Sequence, residues 1–148
     1  MDVRVERAQP ADVDGVLGLL AGHKLPLEGL CDHIDTTIVA RAGSRIVGSA
    51  ALEVYADGAL MRSVAVAPAL QGQHVGRQLT EAIIDLARER GIPALYLLTT
   101  TADGYFPRFG FERIARDAVP EAVKASLEFT SACPATAIVM RKHLGDTR

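Results

Sequence analysis

The stretch Gln71-Gly72-Gln73-His74-Val75-Gly76-Arg77 is the part of this sequence best equipped for chemistry. It follows Val64-Ala65-Val66-Ala67-Pro68, an apolar run stopped by proline, and leads into a segment with helical spacing. A strand that passes through a short glycine-containing loop into a helix leaves unpaired backbone N–H groups at the helix start. The helix dipole favours negative charge there, and such a site suits a phosphate or pyrophosphate. Gly72 and Gly76 let the main chain approach oxygen atoms with no Cβ in the way. His74 resists the positive φ that a glycine accepts. The donors remain backbone groups, so the loop is expected to bind its anion with the imidazole turned outward.

A second pair of residues could handle charge. Arg62 lies on the strand that feeds the loop, and Glu53 lies on the strand before it. With the hairpin turn centred on Asp57 and Gly58, the two fall nearly opposite each other. One reading is a cross-strand ion pair. The other is that the forked donors of Arg62 bind a substrate carboxylate or an oxyanion. His23, His33 and His143 show no partner spacing and are expected at the surface. Cys31 and Cys133 lack metal-type spacing and are expected to be small buried hydrophobes, and no metal is expected.

The elements that position these residues follow from periodicity. Val3-Arg4-Val5 alternates as a strand, and Gln9-Pro10-Ala11-Asp12 opens a helix with Val13, Val16, Leu17 and Leu20 on one face. Residues 22 to 35 read as irregular or briefly helical. Thr37 to Arg41 and Ile46 to Tyr55 are expected strands joined at Ala42-Gly43-Ser44, and Ala56-Asp57-Gly58 turns into a strand over Leu60 to Val66. After the loop, Val75, Leu79, Ala82, Ile83 and Leu86 recur at helical spacing until Gly91 and Pro93. Ala94 to Thr99 is an apolar run suited to a strand covered on both faces. Thr99, Thr100 and Thr101 end it where open sheets place ligands, though strand-end hydrogen bonding explains them equally well. Strand, loop, helix and buried strand imply a crossover between two parallel strands. A short helix over Ala102 to Phe109, a helical stretch over Pro120 to Phe129 and a last strand over Ala135 to Arg141 complete the chain. The result is an α/β (α+β) fold: a mixed, mainly antiparallel sheet of six to seven strands, splayed at the phosphate site, with helices on both faces.

Bulk properties narrow the function. The chain has 148 residues, 49% of them hydrophobic and 23% charged, which suits a single domain over residues 1–148. A net charge of -2 supplies no basic field for nucleic acid. No run of about 18 apolar residues would span a membrane. Met1-Asp2-Val3-Arg4 lacks the layout of a signal peptide, so a cytoplasmic location is expected.

The loop resembles the acyl-CoA-binding motif of the GNAT N-acetyltransferases, in which a V-x-P-type strand end precedes Q/R-x-x-G-x-G/A. The six motif positions are Gln71, Gly72, Gln73, His74, Val75 and Gly76, with His74 where the family usually has its first glycine. The order of elements agrees over nearly the whole chain, and Tyr105-Phe106-Pro107-Arg108-Phe109-Gly110-Phe111 resembles the family's late F-Y-x-x-x-G-F segment. Leu52-Glu53-Val54-Tyr55, Leu97-Leu98-Thr99-Thr100-Thr101 and Ser131-Ala132-Cys133-Pro134 leading to Ala137-Ile138-Val139-Met140 are similar to two groups. These are the small arsenic-resistance branch and the amino-acid (glutamate) N-acetyltransferase domains.

The resemblance implies that Val64 and Val66 pair with the pantetheine arm, and that backbone N–H groups from Gly72 to Arg77 hold the pyrophosphate. It implies acetyl-CoA as acyl donor and a small-molecule primary amine as acceptor, preferably an acidic amino acid or analogue held by Arg62. Glu53 is then the candidate to accept the amine proton, directly or through water. The family's thiolate-protonating Tyr falls at Phe106, which cannot donate a proton. Tyr105 is adjacent, as a packing residue or a substitute acid. Arsenic resistance, glutamate acetylation in arginine synthesis and a catalytically inactive CoA-binding module are the competing functions, and many relatives are homodimers.

Overall fold

The computed structural model describes residues 3–22, 30–55, 58–67, 74–99, 104–124 and 138–144. Its strands are β1 (Arg4–Arg7), β2 (Thr37–Ala42), β3 (Arg45–Tyr55), β4 (Gly58–Val66), β5 (Ala94–Thr99), β6 (Glu112–Ile114) and β7 (Ile138–His143). Its helices are α1 (Val13–Gly22), α2 (Val75–Glu89) and the short α3 (Glu121–Lys124). The strands form one seven-stranded sheet in the order β1-β2-β3-β4-β5-β7-β6. Every neighbouring pair is antiparallel except β4 and β5. This is the mixed, mainly antiparallel sheet that the sequence implies.

Strand alternation sorts side chains to two faces. On one face Ala50 and Leu52 of β3 and Met61 of β4 pack with Val75, Leu79 and Ile83 of α2. On the other, Ala51 and Ala65 pack with Val16 and Leu20 of α1. Further along that second face, Leu60 packs with Tyr96, Val139 and Val123 of α3. Helices therefore cover both sides. Gly48 lets α2 lie close to the sheet: a Cβ there would fall 2.8 Å from Leu79 Cδ1 and 3.2 Å from Ala40 Cβ.

The hairpin register departs from the expected one. Tyr55 pairs with Gly58, Glu53 with Leu60 and Ala51 with Arg62. Glu53 and Arg62 are thus diagonal neighbours on one face and not directly opposite. Gly58 belongs to the strand, because β5 approaches it closely: a Cβ there would fall 2.9 Å from Tyr96 Cε1 and 3.2 Å from Ala94 O. Ala56 and Asp57 lie outside the described residues.

Two features open the sheet beyond this point. β4 and β5 pair only at Ala59 with Leu95 and Leu60 with Tyr96. Ser49 pairs with Ala65, so Ser63 and Val64 of β4 face the single residue Ala50 of β3. An extra residue of this kind bends a strand and increases its twist. The last β4–β5 pair is Leu60 with Tyr96, and Arg62 follows two residues later, immediately before the bulge.

Other boundaries shifted modestly. The helix expected from Pro10 begins as a 3-10 turn (Pro10–Asp12) before α1. The helix expected over Ala102 to Phe109 is a 3-10 turn over Phe106–Phe109 within the described residues, ended by Gly110 at φ +92°. β6 was absent from the sequence reading. Residues 125–137 lie outside the described set, and with them parts of the expected last helix and strand.

Candidate functional site

The helix after the loop begins as its sequence demands. His74 is the residue before α2 and holds φ 66°, ψ 10°. Among the described residues it is the one non-glycine with positive φ. The strain it accepts turns the chain into α2, and its side chain is exposed, as the outward imidazole requires. The first intrahelical bond runs from Gln78 N–H to the His74 carbonyl at 3.0 Å. By helix geometry the N–H groups of Val75, Gly76 and Arg77 have no acceptor within α2. Arg77 reaches Glu81 across 3.3 Å on the exposed surface. Gln71, Gly72 and Gln73 lie outside the described residues.

Tyr105 reaches this helix start. A Cβ on Gly76 would lie 3.4 Å from the Tyr105 hydroxyl oxygen and 3.6 Å from Val66 Cγ2. Val64, Val66 and Tyr105 are all half-buried against the cluster that contains Val75. Phe106 is buried and meets Phe111 edge-on, with ring centroids 5.8 Å apart. Tyr105 itself meets Phe106 and Phe109 edge-on, with the Arg108 guanidinium 4.7 Å above its ring. The family's acid position is therefore a core residue here, and its neighbour carries a hydroxyl to the first turn of α2.

On the opposite face, where β4 leaves β5, the structure brings Glu53 and Arg62 together. Arg62 Nη1 donates to Glu53 Oε2 at 2.6 Å, and the two side chains are 0% and 2% exposed. Tyr55 Oη donates to Glu53 Oε1 at 2.7 Å. The pair sits at the seam between two apolar clusters, with Ala51 and Ala65 on one side and Leu60 and Tyr55 on the other. A buried ion pair of this kind seldom adds stability over apolar side chains of equal volume. Its position at the mouth of the opened sheet is the more informative property.

One site residue eluded the sequence reading. His33 was expected at the surface without a partner, yet its Nε2 lies 4.0 Å from Glu53 Oε2, with the side chain 24% exposed. It belongs to a 3-10 segment (Leu30–Thr36) kinked at His33 itself, so neither strand nor helix periodicity could place it. His143 is exposed as expected. His23, Thr100, Thr101 and Cys133 lie outside the described residues, as does the Cys31 side chain. No group of three or more His, Cys, Asp or Glu that could hold a metal ion occurs among the described residues. No helix among them is long and apolar enough to cross a membrane.

The geometry fits coenzyme A in two respects: the strands part at β4 and β5, and the free N–H groups of α2 begin at the same end of β4. Comparison with known proteins agrees. Residues 33–113, just over half of the chain, match the Acetyltransferase (GNAT) domain. An uncharacterized N-acetyltransferase of Chlorobaculum tepidum is 26% identical over 130 residues, 82% of this chain and 83% of that protein. The amino-acid acetyltransferase of Neisseria meningitidis is 33% identical over 96 residues, 64% of this chain and 22% of that protein. This chain thus spans about a quarter of such longer relatives. N-acetylglutamate synthase from Neisseria gonorrhoeae, solved with coenzyme A and N-acetyl-glutamate, superposes with a TM-score of 0.82 at 25% identity. That match covers 97% of this chain and 35% of that one. A fold shared with a coenzyme A complex and a family match over residues 33–113 lead to one assignment: the chain belongs to the GNAT family of acetyl-CoA-dependent N-acetyltransferases.

Proposed function

We propose that the protein acetylates the primary amine of a small amino acid, with preference for one carrying an additional acidic group. The observation that carries this reading is the buried Arg62–Glu53 pair beside the point where β4 parts from β5. A buried charge pair has little advantage for folding over apolar side chains of equal volume, so its place beside the end of the β4–β5 pairing favours a role in recognition. Arg62 is wholly buried without substrate, so an acidic group on the acceptor would share the forked guanidinium with Glu53 once binding uncovers it. The names of the relatives point the same way, since they are amino-acid acetyltransferases and an N-acetylglutamate synthase. None of the relatives named above is described by arsenic chemistry, so the reading rests on amino acids.

In this scheme Val64 and Val66 line the pantetheine arm, and the N–H groups of Val75, Gly76 and Arg77 face the pyrophosphate. Gln71, Gly72, Gln73 and His74 complete that loop. Bound acetyl-CoA supplies an activated acyl group. The chain contributes by holding the amine against it and by dipoles aimed at the developing oxyanion. The Tyr105 hydroxyl, at the first turn of α2, is the candidate to return a proton to the departing thiolate. Phe106 takes no part. We read residues 1–148 as one catalytic domain, supported by the single sheet that runs through the described residues.

Acceptor preference tests the reading. kcat/KM for L-glutamate is expected to exceed that for L-glutamine or L-leucine by about 10- to 100-fold, the range of one charged hydrogen-bonded contact. Equal values for the three would remove the acidic preference and the recognition role of Arg62.

A further inference from the structure

The Glu53 carboxylate is poorly placed to meet an amine itself. Its side chain is 2% exposed, Oε1 accepts from Tyr55, and Oε2 accepts from Arg62. His33 Nε2 lies 4.0 Å from that same Oε2, and its side chain is 24% exposed. The row Arg62, Glu53, His33 thus runs from a wholly buried cation through a carboxylate to a partly exposed imidazole.

The backbone at His33 is anchored beside this row. Thr37 Oγ1 donates to the His33 carbonyl at 2.8 Å. Thr36 Oγ1 lies 2.6 Å from the Leu52 carbonyl and 3.1 Å from the His33 carbonyl, sharing its single proton between them. Leu52 is the immediate neighbour of Glu53 on β3. The hydroxyls therefore fix the His33 segment to the strand that carries the carboxylate.

We propose that His33 receives the proton released by the acceptor amine, with Glu53 as the positioning residue that orients the imidazole and stabilises its cation. The assignment rests on the reading that the acceptor is an amine. An imidazole offers a ring nitrogen that can take up a proton and pass it on, the role of a general base. A gap of 4.0 Å to Oε2 is long for a hydrogen bond, but such contacts commonly tighten when substrate binds. Glu53 of β3 faces His33, and it is held in turn by Tyr55 of the same strand and Arg62 of β4. Two residues along from His33, the Asp35 carbonyl accepts from the Arg7 guanidinium of β1 at 2.8 Å.

The step balances simply. The ammonium N–H bond breaks, the proton passes to the imidazole, and the electron pair stays on nitrogen. The freed amine forms a bond to the acyl carbon as the C–S bond breaks, and the nitrogen then loses its second proton to water. The departing thiolate takes up a proton from water or from Tyr105, which water reprotonates, so that a neutral amide and a thiol result. The imidazolium then loses its proton to solvent.

The test compares wild type with His33→Asn, His33→Ala and Glu53→Gln, using acetyl-CoA with L-glutamate as acceptor. His33→Asn should lower kcat/KM by about 10²- to 10⁴-fold, the range of a general base. It should also flatten the acidic limb of the pH profile, with acetyl-CoA affinity and Tm unchanged. Imidazole in the buffer should restore part of the activity of His33→Ala. Glu53→Gln should be impaired without rescue; if it does not fold, the imidazole rescue decides. A His33→Asn enzyme that keeps the acidic limb and most of its activity would overturn the proposal, as would a loss that imidazole cannot rescue.

Should wild type acetylate L-leucine or L-glutamine and not L-glutamate, the acidic preference fails and the same variants are compared with that acceptor. A readout without turnover covers the remaining case. The ring resonance of His33, assigned by its absence from His33→Asn, should move when L-glutamate is added without acetyl-CoA. Wild type that acetylates no amino acid, together with a resonance that stays fixed, would overturn both readings. A resonance that moves in such a protein would overturn the proton-transfer role and leave His33 as a contact to the amino acid.

Discussion

At the scale of single residues, the site depends on side chains whose environment differs from what their type suggests. His74 occupies left-handed backbone, which costs a non-glycine residue roughly 1–2 kcal/mol. Glycine would relieve that strain but lose more freedom on folding, by roughly 0.5–1 kcal/mol. His74→Gly is therefore expected to raise stability by up to about 1 kcal/mol in denaturant unfolding. It should leave acetyl-CoA affinity in calorimetry equal or better, because the donors there are backbone groups. Weaker binding in a folded His74→Gly protein would give the imidazole a direct role. His74 was legible in the sequence as an irregular motif position, and the positive φ it adopts is the one that position calls for. His33 was not legible. Its proposed role rests on a neighbour twenty residues away in sequence, and a kinked 3-10 turn leaves no period to read. Glu53 and Arg62 were recognised as a pair, yet their burial depends on two apolar clusters that meet only in the folded sheet.

At the scale of elements, the strands and α2 were readable because their apolar spacing is strong. β5 was found at its observed limits, Ala94 to Thr99. The β4 bulge and β6 were not, since an extra residue in a ladder shows only against its partner, and three residues are too few to alternate. The register of Glu53 and Arg62 shifted for a related reason: Gly58 looks like a turn residue, whereas close approach of β5 keeps it in the strand. The entry to α1 offers a pH test at this scale. Arg41 on β2 holds Asp12 bidentately at 2.9 and 3.1 Å and Glu6 on β1 at 2.8 Å. The Asp12 carboxylate also accepts from the Gln9 N–H at 2.8 Å. The Arg41 hydrogen bonds, then the Gln9 N–H, hold the Asp12 carboxyl below its ordinary value, and the Arg41 guanidinium is raised in turn. A depressed carboxylate stabilises the fold above its unfolded pKa near 4, and that contribution is lost as pH falls through its folded value. Asp12→Asn should thus cost about 1–2 kcal/mol near neutral pH, with the difference from wild type shrinking below about pH 4. A deficit that persists unchanged into acid would mean that charge at Asp12 is not what ties β1, β2 and α1 together.

At the scale of the whole molecule, the described strands β4 and β5 pair at only two positions, and the proposed chemistry is arranged around the place where they part. Backbone donors of α2 and the Tyr105 hydroxyl lie at one end of β4, and the Arg62, Glu53 and His33 row lies where that strand leaves its neighbour. The order of strands and helices was legible in the sequence, and so was the kind of cofactor. The acceptor was less so, because the segments between α1 and β2 that would shape its pocket carry no period or motif. The competing account is a coenzyme-binding module without turnover, and His74 and Phe106 gave it some footing. The positive φ at His74 and the Tyr105 hydroxyl beside Gly76 weigh against it. The most direct measurement follows free thiol and acetylated product together when the protein is given acetyl-CoA and a panel of amino acids. Thiol and N-acetyl-amino acid rising in equal amounts, fastest with L-glutamate, is the expected result. Coenzyme A binding with no acetylated product from any amino acid in the panel would contradict it.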